Sequence, residues 1–455
     1  MRLVFDRGTI LLLQTERASL GPSCGADLPG VLWDPRVAAL RCPARHHGAL
    51  VAELARRGVR FTDEVVDEPA PARTKAVPVD LRPYQQAALA AWDLAGRRGV
   101  AVLPTGAGKT RLAIAAIASS GVRALCLVPT RVLLEQWIRS IHELLGFPAG
   151  QLGDGEHRIE DITVATSESA WRHMPRIGNQ FGLLVVDEVH HFGIGTRDEA
   201  LDMCTAPLRL GLTATKPAGR SAVRVAELVG PTVYELCVDD LVGEFLAPFD
   251  TVVLHLDLDL DERTEYESLM ATVREALARF KRCAPNASWE DFAKAAVRTD
   301  EGRRALAAWH RARRIIAFPS AKRAMLGTLL ERHRACRTIV FVADNQTAYA
   351  VSRAHFIMPL TCDIKRSERE RALALFKEGK LGALVSAQVL NEGLDVPDAE
   401  VGIIVGGSRG EREHVQRVGR VLRPRPGKRA LVYELVIRAS VEVKQSRKRR
   451  SALAA

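Results

Sequence analysis

Two short clusters in this chain of 455 residues carry side chains suited to chemistry on a phosphate anhydride. The first is Leu103-Pro104-Thr105-Gly106-Ala107-Gly108-Lys109-Thr110, which follows an apolar run, Val100 to Leu103, and precedes a helical pattern from Arg111 to Ser119. Glycines at 106 and 108 let backbone N–H groups approach phosphate oxygens, and the start of the next helix turns its positive dipole end to the anion. Lys109 is placed to reach the β- and γ-phosphates, and the Thr110 hydroxyl to hold Mg²⁺. Leu103, Pro104 or Thr105 stands where such loops usually place their first glycine, so the strand before and the helix after carry the assignment. The second cluster is Leu183-Leu184-Val185-Val186-Asp187-Glu188-Val189-His190-His191. A carboxylate ending a buried strand beside a phosphate loop can hold Mg²⁺ through water while its neighbour polarises the attacking water. Asp187 takes the metal role, Glu188 the general base, and His190 a hydrogen-bonding coupler role rather than ligation. Later in the chain, Gln416-Arg417-Val418-Gly419-Arg420 leads to Arg423. On a helix, Arg420 and Arg423 share one face, from which both guanidinium groups can reach a γ-phosphate across a cleft, an arrangement worth about 10³ to 10⁵ in rate.

These residues need a scaffold, and the hydrophobic pattern supplies one. Short β-branched runs at Val100 to Leu103, Ala124 to Val128, Ile162 to Ala165, Leu183 to Val186 and Leu208 to Leu212 alternate with amphipathic helical stretches. Continuous apolar strands with helices between them predict a parallel sheet covered on both faces. A second series, Thr338 to Val342, Ala383 to Ser386, Val401 to Val405 and Ala430 to Glu434, predicts a second α/β domain. Between them, Asp261 to Phe280 sets Tyr266, Leu269, Val273, Leu277 and Phe280 on one helical stripe, and Glu301 to Phe318 makes an arginine-rich helix stopped by Pro319. Residues 1–66 read as a small α+β module, and the proline-rich Asp67 to Pro78 as a linker. The resulting division is 1–72, 73–247 and 248–455, with the helical insertion at about 261–318.

Composition narrows the class. With 47% hydrophobic and 26% charged residues the chain is an ordinary globular protein, which excludes disorder, collagen and coiled coil as global descriptions. Lys plus Arg number 65 against 54 for Asp plus Glu, a net charge of +11 that favours polyanionic partners such as nucleic acid. The eight cysteines form no C-x2-C pair, so neither zinc nor an iron–sulfur cluster is signalled, and they read as free thiols in a reducing compartment. No secretory leader or membrane span is read from the pattern, and a soluble, cytoplasmic protein is expected.

Taken in order, these motifs resemble those of superfamily-2 helicases, and within them the XPB group of DNA repair helicases in its shorter archaeal and bacterial form. Leu81-Arg82-Pro83-Tyr84-Gln85 resembles the adenine-reading motif, which implies nucleotide contacts from Arg82 and Gln85 beside Thr105, Gly106, Ala107, Gly108, Lys109 and Thr110. Val128-Pro129-Thr130-Arg131 and Val164-Ala165-Thr166 resemble first-domain DNA contacts, and Leu212-Thr213-Ala214-Thr215 the coupling motif in which Thr213 and Thr215 act. Val389 to Pro397 resembles the second-domain motif, implying nucleotide contacts from Gly393 and Asp395, while Asn345 and Ser386 are implied DNA contacts and Gln416 a catalytic partner of the two arginines. The likeness implies two tandem RecA-like domains, a small N-terminal damage-recognition domain around Leu32-Trp33-Asp34-Pro35-Arg36, and a thumb at the insertion. It implies 3′–5′ DNA helicase activity driven by ATP and Mg²⁺ in nucleotide excision repair, by a monomer beside a structure-specific nuclease, with a nucleoid setting in a prokaryote.

One departure favours other readings. Lys216-Pro217-Ala218-Gly219-Arg220 stands where the family usually carries Arg-Glu-Asp, implicated in duplex opening. A duplex translocase without strand separation, or an ATP-gated DNA clamp for a partner nuclease, are the alternatives. Outside the motor, Trp33 and Trp309 read as packing residues, with damage reading the competing role for Trp33 and base stacking for Trp309 beside the insertion's arginines. Lys444 to Arg450 reads as a disordered, solvated tail, with electrostatic DNA binding or an import signal as competing roles.

Overall fold

The computed structural model describes residues 1–13, 28–66, 78–104, 106–236, 249–387, 399–406 and 430–454. The chain divides into two compact units, Met1–Cys237 and Val238–Ala455. Among the described residues no helix is long and apolar enough to cross a membrane, and six cysteines there are free thiols.

The first unit begins with a small α+β body: β1 (Arg2–Asp6), β2 (Thr9–Leu13), β3 (Leu32–Asp34), β4 (Ala39–Pro43), α1 (His47–Arg56) and β5 (Thr62–Glu64). The strands form one sheet in the order β3-β4-β2-β1-β5, in which only β1 and β5 run parallel. Leu3, Ile10, Leu12, Leu40 and Cys42 alternate onto its inner face, and Leu50 and Leu54, one helical turn apart, cover them from α1. Trp33 corrects the expectation of a core residue. It lies on the edge strand β3, 44% exposed beside Leu32, and borders an open groove of about 350 Å³.

A parallel α/β body follows. Its elements are α2 (Pro83–Leu94), β6 (Arg98–Val102), α3 (Lys109–Ser120), β7 (Ala124–Val128), α4 (Arg131–Leu145), β8 (Gly150–Gly153), β9 (Glu156–Arg158), β10 (Ile162–Thr166) and α5 (Ser167–Ile177). β11 (Leu183–Val186), α6 (Glu199–Asp202), β12 (Leu208–Thr213), α7 (Gly219–Leu228) and β13 (Thr232–Glu235) complete it. The sheet order is β13-β6-β12-β11-β7-β10-β8-β9, parallel except for the edge strand β9. All five strands read from the pattern are present, and their residues are buried on both faces, as helices on either side of a sheet require. The small N-terminal body is docked onto this one. Asn179 Nδ2 donates to the Val65 carbonyl at 2.9 Å, and Arg45 pairs with Asp202 at 2.6 Å, a carboxylate that Arg224 also holds at 2.5 Å. Gly8, at φ +84°, lies so close to Met203 that a Cβ there would stand 2.2 Å from the Met203 side chain.

The second unit opens with β14 (Phe249–Leu256) and a helical group, α8 (Leu260–Cys283), α9 (Trp289–Ala296) and α10 (Asp300–Ala317). Asp259 and Glu262 form a capping box at the start of α8, a feature worth about 0.5 to 2 kcal/mol. Then come α11 (Ser320–Arg332), β15 (Thr338–Phe341), α12 (Asn345–His355), β16 (Met358–Leu360), α13 (Arg366–Lys377), β17 (Ala383–Ser386), β18 (Val401–Ile404), β19 (Ala430–Ile437) and α14 (Val441–Ala454). Their strands form a parallel sheet in the order β14-β19-β18-β15-β17-β16. Trp309 packs against Trp289 at 5.1 Å and under the Arg313 guanidinium at 4.8 Å, the packing role expected of it. The expected disordered tail is corrected: residues 441–454 are helical, because Glu442 and Ser446, one turn apart, are buried and hydrogen-bonded against the unit.

Candidate nucleotide and nucleic-acid site

Parallel register brings the first-unit motifs to one edge of the sheet. Val102 stands opposite Thr213, Val186 opposite Leu127 and Thr166 opposite Val128, so the loops after β6, β7, β10, β11 and β12 all leave from the carboxyl ends of their strands. Ligands of open α/β sheets bind at this edge.

The phosphate loop is a tight turn between β6 and α3, with Gly106 at φ 87° and Gly108 at φ 76°. A side chain at Gly108 would be strained by φ +76° and would displace Gln85 Nε2, 2.4 Å from a Cβ there. The turn is braced from α2. Tyr84 donates its hydroxyl to the Ala107 carbonyl at 3.0 Å, and Gln85 Nε2 donates to the carbonyls of Ala107 at 2.8 Å and Gly108 at 3.2 Å. Gln85 Oε1 closes the helix start by accepting from Arg82 N at 3.0 Å, and Arg82 Nη1 reaches the Tyr84 hydroxyl at 3.2 Å. Gln85 is therefore buried, with both its donors on the loop's own carbonyls. Lys109, at the first turn of α3 with Thr110 beside it, folds back over the loop and donates to Leu103 O at 3.4 Å.

The acidic pair ends β11. Asp187 N donates to Leu127 O at 2.9 Å, while its carboxylate accepts from Trp137 Nε1 and from Glu188 N, each at 2.9 Å. Burial and the neighbouring Glu188 charge push the Asp187 carboxyl above the ordinary range. Burial works the same way on Glu188, but Lys109 and His190 outweigh it and hold Glu188 below that range. Glu188 sits at φ 47°, a left-handed backbone that a non-glycine residue adopts under strain. His190 Nδ1 lies 2.9 Å from Thr213 Oγ1 and 3.3 Å from Glu188 Oε2. The Thr213 hydroxyl donates its proton to Thr215 O at 2.9 Å and accepts from Thr215 N at 3.0 Å, so the hydrogen between Thr213 and the ring belongs to Nδ1. Glu188 Oε2 is left buried with no hydrogen bond, as is the Thr215 hydroxyl.

The implied first-domain DNA contacts stand along the same edge. Thr130 and Thr166 are N-cap residues of α4 and α5, accepting from Leu133 N at 3.3 Å and Ser169 N at 3.2 Å. Pro129 is half-buried at the end of β7. Arg131 is exposed and pairs with Asp154 at 3.0 Å. In the second unit, Asn345 Nδ2 donates to Asp363 Oδ2 and Cys362 Sγ, each at 3.0 Å, and Ser386 ends β17 fully buried with its hydroxyl unpartnered. Thr105, Gly393, Asp395, Gln416, Arg420 and Arg423 lie outside the described residues. Two residues of the site escaped the sequence reading. Tyr84 lay inside a quoted motif without a role. Trp137 was visible only as a large ring on an amphipathic helix, and a buried indole N–H needs an acceptor.

Residues 78–218 match the family model of the type III restriction enzyme res subunit, residues 321–425 the helicase conserved C-terminal domain, and residues 3–65 the xeroderma pigmentosum group B helicase damage recognition domain. A DNA 3′-5′ translocase XPB2 from Sulfurisphaera tokodaii is 34% identical over 427 residues, 93% of this chain and 96% of the relative. A putative DNA 3′-5′ helicase Rad25 from Halobacterium salinarum is 30% identical, and a DNA 3′-5′ helicase XPB from Mycobacterium tuberculosis 29%, each across 82% of this chain. The chain spans 56% and 64% of the length of these two. In fold it is similar to S. cerevisiae Dbp5 bound to RNA and ADP BeF3, with a TM-score of 0.56 and 16% identity over 82% of this chain and 88% of the other. It is likewise similar to the Pyrococcus furiosus Hef helicase domain, with a TM-score of 0.53 and 19% identity over 81% and 98%. With two RecA-like sheets, the first unit's motor motifs gathered on one edge and a relative matched nearly end to end, the chain belongs to the XPB family of superfamily-2 helicases.

Proposed function

We propose that this protein is an ATP-dependent 3′–5′ DNA helicase or translocase that opens or remodels duplex DNA in repair, within nucleotide excision repair. The observation that carries the reading is Glu188 at the end of β11, part-buried with its Oε2 buried and accepting no hydrogen bond, in the field of Lys109. A carboxylate kept ionised by a neighbouring cation, with a free acceptor oxygen, is equipped to take a proton from an attacking water. The residues also fit a nucleotide with Mg²⁺: the turn with Gly106 and Gly108 at positive φ leads directly into the N-terminus of α3, and Asp187 is a buried carboxylate at the end of β11. Lys109 would hold the phosphates, and Thr110 and Asp187 the metal ion. When bound, the ion supplies charge neutralisation on the phosphate oxygens. The chain's own residues do the rest. Tyr84 and Gln85 fix the loop, Trp137 orients Asp187, and His190 ties Glu188 to Thr213 and thus to the segment after β12. Gln416, Arg420 and Arg423 supply the second domain's catalytic groups, and Gly393 and Asp395 its nucleotide contacts. DNA runs past Pro129, Thr130, Arg131 and Thr166, whose two threonines sit at helix starts suited to phosphate. Asn345 continues that path in the second domain, while Ser386, expected there as well, is fully buried at the end of β17 and has no surface to offer DNA. The protein acts as a monomer in the cytoplasm or nucleoid, beside a structure-specific nuclease.

A second reading, duplex translocation without strand separation, is favoured by the segment after the coupling motif. Lys216 is tied to Glu235 at 2.5 Å, and α7 starts at Gly219, where the family's Arg-Glu-Asp is absent. ATPase assays with no nucleic acid, single-stranded DNA, forked duplex and RNA, beside unwinding of the same fork, separate the two. DNA-stimulated hydrolysis with 3′–5′ unwinding is the expected result. Hydrolysis that displaces a triplex strand yet leaves the fork paired selects the translocase, and hydrolysis indifferent to DNA refutes both.

A further inference from the structure

The motor chemistry leaves one buried charge pair unexplained. Lys322, in the first turn of α11, is fully buried, and its Nζ donates to Ile316 O at 2.8 Å, Val405 O at 2.6 Å and Glu442 Oε1 at 2.7 Å. Glu442 Oε2 accepts from Ile437 N at 2.9 Å. One turn on, the Ser446 hydroxyl donates to the buried Glu434 at 2.8 Å. The first turns of α14 are thereby pinned to the root of the helical insertion and to the ends of β18 and β19. Seating a basic helix through a buried ion pair is costly in desolvation, so its effect on the helix's outer face matters.

That effect is a sorting of charge. Within 441–454 the sequence holds five cations, Lys444, Arg447, Lys448, Arg449 and Arg450, and one acid, Glu442. The acid is turned inward and neutralised by Lys322, while Lys444 and Arg447, three apart on one face, are exposed. Three of the insertion's arginines contrast with this: Arg279 pairs with Glu301, Arg303 with Asp300 and Arg311 with Glu265. We infer that α14 is a preformed DNA-backbone grip of the second unit, seated by the Lys322–Glu442 pair and reading phosphate rather than sequence. This rests on the DNA-acting reading above. A seated helix presents its charges without the ordering cost of a loose tail.

Salt dependence of DNA binding tests it in the full chain. Each phosphate contact contributes about 0.9 to the slope of log affinity against log salt on duplex. Lys444→Gln, Arg447→Gln and Lys448→Gln together are expected to lower that slope by about 2 to 3 on a forked duplex titrated from about 50 to 200 mM salt. Gln445→Pro breaks the helix yet keeps every charge. It is expected to lower the slope as well, with the thermal unfolding midpoint reporting that the body is still folded. An unchanged slope in the triple variant overturns the grip. A lowered slope there with an unchanged one in Gln445→Pro shows a loose basic tail and overturns the seated helix. Wild-type protein without salt-sensitive DNA binding instead refutes the DNA-acting reading itself.

Discussion

Two buried charge clusters, one in each unit, are built on opposite plans. Around Lys322 every ammonium proton has an acceptor, and both Glu442 oxygens have donors. Around Asp187 and Glu188 the chain stops short: Glu188 Oε2 and the Thr215 hydroxyl are buried without a hydrogen bond, and the Glu188 backbone is strained. A saturated cluster joins elements together. An unsaturated one stores free energy that a ligand releases on arrival, because buried polar groups are costly until paired. Saturation of this kind separates a joint from a candidate site even where both are charged and turned inward.

The contrast breaks hardest at Glu188. Glu188→Gln is expected to lower DNA-stimulated ATP hydrolysis by about 10² to 10⁴, while the thermal midpoint changes little because Oε2 gives up no hydrogen bond. A fall in both would place Glu188 among the joints. The reverse is expected at the other cluster. Lys322→Met leaves Glu442 buried and unpaired and should destabilise the protein by about 3 to 5 kcal/mol in denaturant melts, and Lys322→Met with Glu442→Leu should recover most of that. A single variant as stable as the double contradicts the joint.

A smaller effect sharpens the comparison through pH. Asp187 must be ionised to hold a cation, and its pKa is raised by burial, so hydrolysis falls as pH drops through that raised value. Trp137→Phe removes a hydrogen bond that favours the charged form, so the acid limb of the rate profile should move to higher pH; a limb that stays put means Trp137 does not orient Asp187. The smallest change is expected at the surface. Asp154→Asn should alter stability by less than about 1 kcal/mol while tightening DNA binding at low salt, since it releases Arg131.

What the sequence disclosed follows from how local each feature is. The glycine turn before Lys109 and the acids after Val186 depend on residues next to one another, and both stand at strand ends as read. The brace from Gln85 to Ala107 spans 22 positions, the Trp137–Asp187 bond 50 and the Lys322–Glu442 pair 120, and no periodicity reports partners so far apart. Gln85 thus read as an adenine contact, where the fold also makes it a brace. The reading of α14 failed for the same reason: its charge run was plain, its inward acid meaningless without Lys322. β16 escaped because Pro359 breaks a strand pattern, yet proline is tolerated on an edge strand such as this one. Trp33 misled in the other direction, an apolar residue whose edge strand leaves it facing outward.

The docking of the N-terminal body has its own consequence. Gly8 against Met203, Val65 on Asn179 and Arg45 on Asp202 fasten the small sheet to the same body that carries the phosphate loop. The small domain is therefore a fixed stylus rather than a trailing sensor. Whatever its exposed Trp33 edge touches is held at a set distance from Lys109 by these contacts.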